Sequence, residues 1–560
     1  MKLFVLEWEH AGDDEGGRAT ARGIAAGGAV AARAGSLHII GDIRIDARAE
    51  LQRALSDAGY PQQAEAGDAD LVLAAWQAWG DACTARLLGD FSFVIWDDAH
   101  RVVFCARDQL GVRPLYYAVH AGGFICSNTL DAIRASRAVT SRLHEPALVS
   151  FLECGWNRDL TTTTFTDIRR LPPAHQIVCR DGRPADPARY WHFPVPEPLI
   201  YRSDPEYIEH FRALLAECVR DRAGTGPIAL MMSGGLDSTS LAATLRRVVP
   251  DQPVIAYTTD VGDVVPNDDA RLARVVAGQL GLRHVISSDI PVALEHLADA
   301  DFRSPEPLDE PEYAAWRRLM AGVESGSGSL LLGEDGDALF APPGAVRTLR
   351  RWPTGGWFVR FVRHWASTGR RPHLGVNWRA RGQALVAPRW TPRPWLRPEF
   401  ASLAAAMREP DHGTHPSRPE AQRFLLGTIW QSVHEVFSPA YSGAAVEMRW
   451  PLLDLRMLEF ALAVPPMPWC QGKELMRRAF ASELPPEVIR RPKTTLSGYE
   501  AVEVTRWRES RAGSVAPFTE RTREFIDRDR AVAALFDGSP DEVFAAWRVL
   551  ALDRWLRDLE

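Results

Sequence analysis

Seven residues, Ser233-Gly234-Gly235-Leu236-Asp237-Ser238-Thr239, follow directly on the apolar run IALMM and open a helical stretch. A strand, a glycine turn and a helix in that order commit this part of the chain to an α/β layout with a parallel sheet. Two adjacent glycines let the backbone approach a ligand closely. The amides of the turn and the N-terminus of the helix then form a cradle for an anion. Ser233, Ser238 and Thr239 add hydroxyl donors for phosphate oxygens. Asp237, in the middle of an anion site, makes sense chiefly as a Mg²⁺ ligand that neutralises phosphate charge. A plain capped helix after a glycine turn would not need this whole set of polar residues. The Walker pattern GxxxxGK[ST] is absent.

The surrounding pattern predicts the same alternation. A helix over 205–222 precedes the strand PIALMM (227–232), and a helix from about 238 to 247 leads to the strand PVIAYTT (253–259). A helix over 268–281 and a short strand RHVIS follow, and the remainder beyond about 300 reads as mostly helical. The earlier part differs. Residues 36–47 read as a strand with a turn around Gly41, and helices run to about Gly59 and over roughly 68–80. GDFSFVIWD (89–97) and RVVFCARD (101–108) form a hairpin across Asp98-Ala99-His100, and GVRPLYYAV and GGFICSN continue the strand-rich pattern. The predicted division is an α+β domain on antiparallel sheet over 1–193, an extended Pro-containing linker over 194–204, and an α/β domain over 205–560.

A second acidic loop follows another apolar strand, in Leu330-Leu331-Leu332-Gly333-Glu334-Asp335-Gly336-Asp337-Ala338-Leu339-Phe340. Three carboxylates in four positions repel one another, so a shared cation or proton is expected there.

Composition narrows the class. Apolar residues make up 46% and charged residues 24%, which excludes a disordered or fibrous chain. The formal charge of −7 gives no overall pull toward nucleic acid. No apolar run approaches the roughly 18 residues that span a bilayer. The start, MKLFVLEWEH, is too short for a signal-peptide core. The seven cysteines suit neither a zinc knuckle nor a disulfide framework. A soluble cytoplasmic protein with reduced thiols is expected. One segment stands apart: residues 341–400 hold twelve Arg, no Lys, no Asp, only Glu399, and six of the nineteen Trp. Arg and Trp are the usual anchors of binding surfaces, and no nucleic-acid module accompanies them, so a protein or peptide partner is expected here.

The SGGLDST turn resembles the pyrophosphate loop of the ATP-pyrophosphatase family, which cleaves ATP between the α and β phosphates and adenylates a substrate. The loop at 330–340 resembles the GEGADELF-like loop of the asparagine synthetase family. MRWPLLDLRMLEFALAVP (448–465) is similar to that family's ARVPFLDxRLVEFALSLP helix. Lys473-Glu474-Leu475-Met476-Arg477-Arg478 and LPPEVIRRPKTTLSG (484–498) follow in the family's order. The hairpin GDFSFVIWD…ARDQLGVRPLYYA resembles GMFAFALWD…ARDRFGIKPLYY of the glutaminase half.

This resemblance implies a degenerate glutaminase-like (Ntn-hydrolase) antiparallel sandwich, then an ATP-pyrophosphatase domain of the adenine nucleotide alpha hydrolase type with a parallel sheet and many helices. It implies ATP and Mg²⁺. The nucleotide would be held by Met232, Ser233, Gly234, Gly235, Leu236, Asp237, Ser238, Thr239, Thr259 and Gly333, and the metal by Asp237 and Asp337. Glu334 falls on the catalytic proton acceptor, and Lys493 on the lysine placed where charge develops. Asp335 and Ala338 depart from the family loop and leave its local geometry open. A glutaminase of this type needs Cys as its second residue. Position 2 is Lys2 and the earliest cysteine is Cys83, so the fold without the nucleophile is expected.

Two branches of the family use an amine already on their substrate. In beta-lactam synthetases the position of Glu334 is typically Tyr, which speaks against that branch. The segment 341–400, including PRPWLRPEF, resembles an insertion of lasso peptide cyclases. That branch implies a precursor (core) peptide as substrate and a leader peptidase or leader-binding protein as partner, with no nucleic acid and no membrane span. A beta-lactam synthetase-like ligase, an ammonia-dependent asparagine synthetase and a catalytically dead scaffold are the other readings.

Overall fold

The computed structural model describes residues 3–9, 20–26, 28–342 without 122, 182, 324–325 and 335, Ala366, and 392–559 without 409, 411–412, 443, 445, 493–497 and 512. Among the described residues the first half of the chain forms two antiparallel sheets. One has the order Thr20–Ala26, Leu3–Glu9, Gly123–Ser127, Tyr116–His120, Arg169–Arg170. The other has the order Arg183–Pro184, His175–Arg180, Val102–Arg107, Gly89–Asp97, Leu37–Ile45, Val30–Ala34. Period-two alternation explains the pairing of the sheets. Phe4, Leu6 and Trp8 of the first meet Ile40, Val94, Trp96 and Val103 of the second in one apolar layer. The outer face of the second sheet carries Ile39, Ile43, Phe91 and Phe93, covered by Leu51, Leu55, Leu71 and Ala75 of the helices Arg48–Asp57 and Asp68–Trp79.

The hairpin at Asp98-Ala99-His100 forms as expected, with Asp97 accepting from Ser36 Oγ at 2.8 Å and from the Ala99 amide at 2.9 Å. The expected turn at Gly41 does not form. Leu37–Ile45 runs unbroken along Gly89–Asp97, because Gly41 faces Phe93, whose Cβ would lie 2.7 Å from any Cβ at that position. The glycine marks a close approach of two strands.

The second half is built on a parallel sheet with the order Arg283–Ser287, Val254–Thr259, Ile228–Met231, Ser329–Leu331, Glu447–Arg449. Helices cover both faces, so its strands are continuous apolar runs: Ile228, Ala229, Leu230, Leu330 and Leu331 are all fully buried. In chain order this is 3-2-1-4-5, and the order reverses between Ile228–Met231 and Ser329–Leu331. Ligands bind at that reversal in open α/β sheets, outside the carboxyl ends of the strands. The edge strand Glu447–Arg449 corrects the helical reading of MRWPLL. Three residues are too few to show a period, and Pro451 delays the helix to Leu455–Ala463.

The halves meet across buried charge. Arg44 donates to Asp90 at 2.6 Å and to Asp46. Arg222 pairs with Asp454 and lies 3.0 Å from Asp46, and Arg113 pairs with Glu447. The terminal helix Pro540–Leu559 also packs on the first half, with Trp555 5.7 Å from Phe165. Removing Arg222 leaves the buried carboxylates of Asp46 and Asp454 to Arg44 and Arg456 alone, an excess of buried negative charge. Arg222→Met should therefore lower unfolding stability by about 3–5 kcal/mol in a urea titration. Arg271→Ala breaks an exposed pair with Glu487 and should leave the midpoint unchanged.

Trp395 lies within the segment expected to present surface anchors, yet it is 1% exposed and shares a core with Trp507 and Trp547. That ring is structure. Residues 343–391, apart from Ala366, lie outside the described residues, as do Lys2, Asp335 and Lys493. Among the described residues no helix is long and apolar enough to cross a membrane.

Candidate active site

Both acidic loops leave the sheet at its point of reversal. The first turn runs from Met232 into the helix Leu236–Val248, and the second from Leu332 into a single helical turn, Gly336–Leu339. Two glycines bring them into contact. A Cβ on Gly333 would sit 2.6 Å from the Ser238 backbone, and one on Gly336 would sit 2.7 Å from the Asp237 carboxylate. Only a residue without a side chain allows this approach.

The two loops bring their carboxylates together. Asp237 and Asp337 reach the same cation, the Lys473 ammonium, at 2.5 Å and 2.7 Å. That ammonium marks a cation position, which fits a divalent ion held by two carboxylates. Thr259 ends the adjoining strand Val254–Thr259 and faces the same crevice end of the sheet.

The hydroxyls of the first turn are engaged with the turn itself. Ser238 Oγ accepts from the Ser233 amide at 3.1 Å, and Ser233 Oγ accepts from the Gly235 amide at 3.1 Å. Thr239, expected as a phosphate donor, is fully buried and donates to the Gly235 carbonyl at 2.7 Å. It holds the helix start. Met232 is likewise buried, its amide donating to Tyr257 O at 2.9 Å, so its side chain belongs to the core beneath the turn. Ser233 is exposed, and Gly234, Gly235 and Leu236 complete the turn beside it.

Glu334 keeps surface open to solvent. Its carboxyl is nonetheless raised above the ordinary carboxylate range by desolvation, with the Trp450 side chain working the other way. Nearby Glu310 is pushed up to about 7, first by burial and then by Glu312, Asp309 and Glu334. Such a wall favours a bound cation or amine and disfavours a second free anion.

Two cations at the site escaped the sequence reading. Lys473 lay in a stretch noted for its order alone. Arg491 Nη1 lies 2.5 Å from Asp269 Oδ1 and would be 2.9 Å from a Cβ on Gly234, so it overhangs the glycine turn. Arg477 ties their segments together, donating to Gly472 O at 2.6 Å and Arg491 O at 2.9 Å. The basic residues of KELMRR and RRPK were the available signal; their direction toward the turn was not. Lys493 lies outside the described residues.

All seven cysteines are buried, and burial pushes the Cys83 thiol up to about 12.

Comparison with known proteins agrees with this layout. Residues 210–557, more than half of the chain, match the asparagine synthase family, and residues 33–191 match a glutamine amidotransferase domain. An amidase of Gibberella zeae is 26% identical over 297 residues, which are 50% of this chain and 44% of the amidase. The chain thus spans less than half the length of that relative. A glutamine-hydrolysing asparagine synthetase of Bacillus subtilis is 24% identical over 476 residues, covering 80% of this chain and 73% of its own. The structure of an allosteric regulatory enzyme of purine biosynthesis aligns over 52% of this chain and 76% of its own at 12% identity, with a TM-score of 0.23, too low to carry an argument.

Proposed function

The chain belongs to the asparagine synthase family, and we propose that it is an ATP-dependent, AMP-forming amide ligase of the lasso peptide cyclase type. In this reading residues 1–193 are an inactive glutaminase-like domain, 194–204 a linker, and 205–560 the ligase domain. The substrate is a leader-cleaved precursor peptide. Its Asp or Glu side-chain carboxylate attacks the α phosphate of ATP, pyrophosphate leaves, and the peptide's N-terminal amine displaces AMP to close a macrolactam.

The observation that carries the reading is the meeting of Asp237 and Asp337 on one cation position, beside Glu334, at the reversal of a parallel sheet. When bound, Mg²⁺ neutralises charge on the phosphates. Asp237 and Asp337 would hold it, and the first turn and Arg491 would face the phosphate chain. Glu334 would take the proton that the amine loses on attack, and desolvation raises its carboxyl above the ordinary carboxylate range, which makes it a stronger base. Lys493 is proposed to face the reacting acyl-adenylate.

In this reading the nitrogen source is the substrate's own amine; every thiol of the chain is buried, so none is presented as a glutaminase nucleophile. The Arg/Trp-rich segment 341–400 is proposed to engage the peptide or a leader peptidase.

The test is incubation with a core peptide and ATP. Peptide-dependent release of AMP and pyrophosphate, with a product lighter by one water, is expected. ADP and inorganic phosphate as coupled products would sink the reading. Glutamine should neither be hydrolysed nor stimulate turnover; measurable glutamate release would return the first half to glutaminase chemistry. Because one relative is an asparagine synthetase, aspartate with ammonia forms a parallel arm. Turnover there, with none on peptide, would favour that alternative.

A further inference from the structure

Lys473 has two properties that a bystander at a phosphate site does not need. Its ammonium sits between Asp237 and Asp337, at 2.5 Å and 2.7 Å, and its side chain is 13% exposed. Its backbone is left-handed, at φ 60° and ψ 40°, directly after Gly472 at φ 56° and ψ 33°. Residues with a side chain seldom adopt that conformation, and it persists where the surroundings over-determine it. Arg477 supplies part of that restraint through its bond to the Gly472 carbonyl. The chain therefore holds an unusual backbone state at the residue that aims a lysine at the metal carboxylates.

We propose that Lys473 is a placeholder cation: in the nucleotide-free chain its ammonium occupies the divalent-metal position, so metal enters only together with the nucleotide. The proposal rests on the ATP-dependent reading above. Lys473 supplies positive charge between two carboxylates that repel each other. With it, a bare divalent ion meets a cation already in place. Nucleotide phosphates change the balance, because they bring enough negative charge to accept the displaced ammonium while the metal takes the carboxylates. Mg²⁺ sites are commonly completed in this way by one or two carboxylates plus substrate phosphates. Lys473 is thus a positioning residue that couples metal binding to nucleotide binding.

The experiment titrates Mn²⁺, read by electron paramagnetic resonance, into the full-length protein without nucleotide. Wild type is expected to bind it weakly. Lys473→Met keeps the length and removes the charge, and should bind at least roughly tenfold more tightly. Lys473→Arg keeps the charge and should stay weak. Damage to the fold cannot produce a gain in affinity. Equal Mn²⁺ affinity in wild type and Lys473→Met, with matching melts, overturns the proposal. If Lys473→Met fails to fold, Lys473→Gln carries the same comparison. Failure of the underlying reading looks different. A non-hydrolysable ATP analogue would then leave Mn²⁺ affinity unchanged in every variant, removing the premise of the proposal as well. Failure of the placeholder alone leaves nucleotide-assisted Mn²⁺ binding intact and equal in wild type and variant.

Discussion

Alanine at Asp237 should abolish peptide-dependent pyrophosphate release, and alanine at Asp337 should do the same. Each carboxylate belongs to a pair that converges on one cation, so in the proposed reading one deletion would leave the metal with half its protein ligands. Metal stabilisation of a phosphoryl-type transition state is worth several kcal/mol, which is about a thousandfold in rate. Asp237 should be the more damaging site. It is the less exposed of the two, at 16% against 48%, and its carboxylate packs on Gly336 of the other loop. Asp237→Asn separates charge from packing, since it keeps the shape and should lose turnover as completely as Asp237→Ala. A coupled pyrophosphate assay with a thermal melt for each variant checks this. Wild-type rates in either alanine variant, or full activity in Asp237→Asn, would remove the metal pair.

The two acidic loops were legible in the sequence because their signals are local. Glycine, hydroxyl and carboxylate types stand at fixed offsets after apolar strands, and parallel strands buried on both faces are written as unbroken apolar runs. What the sequence withheld is what depends on distance or on backbone direction. Lys473 is more than two hundred residues from Asp237, and it reaches that carboxylate from a turn in which residues 472 and 473 are both left-handed. No pattern in KELMRR announces that turn. Gly41 misled for a related reason. Glycine marks a bend and a close strand contact equally well, and only the partner Phe93 decides between them. Trp395 was read from the charge of its neighbours, whereas its burial is decided by Trp507 and Trp547, more than a hundred residues on. Thr239 had the right chemistry for a phosphate ligand, but a hydroxyl one turn into a helix can bond the carbonyl four residues back, and here it does.

Glu334→Gln should separate the two chemical steps. The amide keeps the shape and the contacts of the loop but cannot accept a proton. In the proposed reading adenylation needs only the phosphate turn, Asp237, Asp337 and the peptide carboxylate, so pyrophosphate release should persist at a reduced rate. In the proposed reading ring closure requires the peptide's neutral amine to lose a proton as it attacks, and a positioned base contributes typically 10²–10⁴-fold to such a step. Macrolactam yield should therefore fall by roughly that factor while the acyl-adenylate accumulates or is lost to water. The pH profile offers an independent check. Desolvation raises the Glu334 carboxyl above the ordinary carboxylate range, and only its ionised form is a base. Ring closure in wild type should thus rise with pH through that raised value and level off above it, whereas the Gln variant should lack this limb. Mass spectrometry of the peptide product beside a pyrophosphate assay reads both steps. Normal cyclisation by Glu334→Gln with an unchanged profile would hand the proton to another group. Neighbouring Glu310, pushed up to about 7 and in the field of Glu334, is the first side chain to replace in that event.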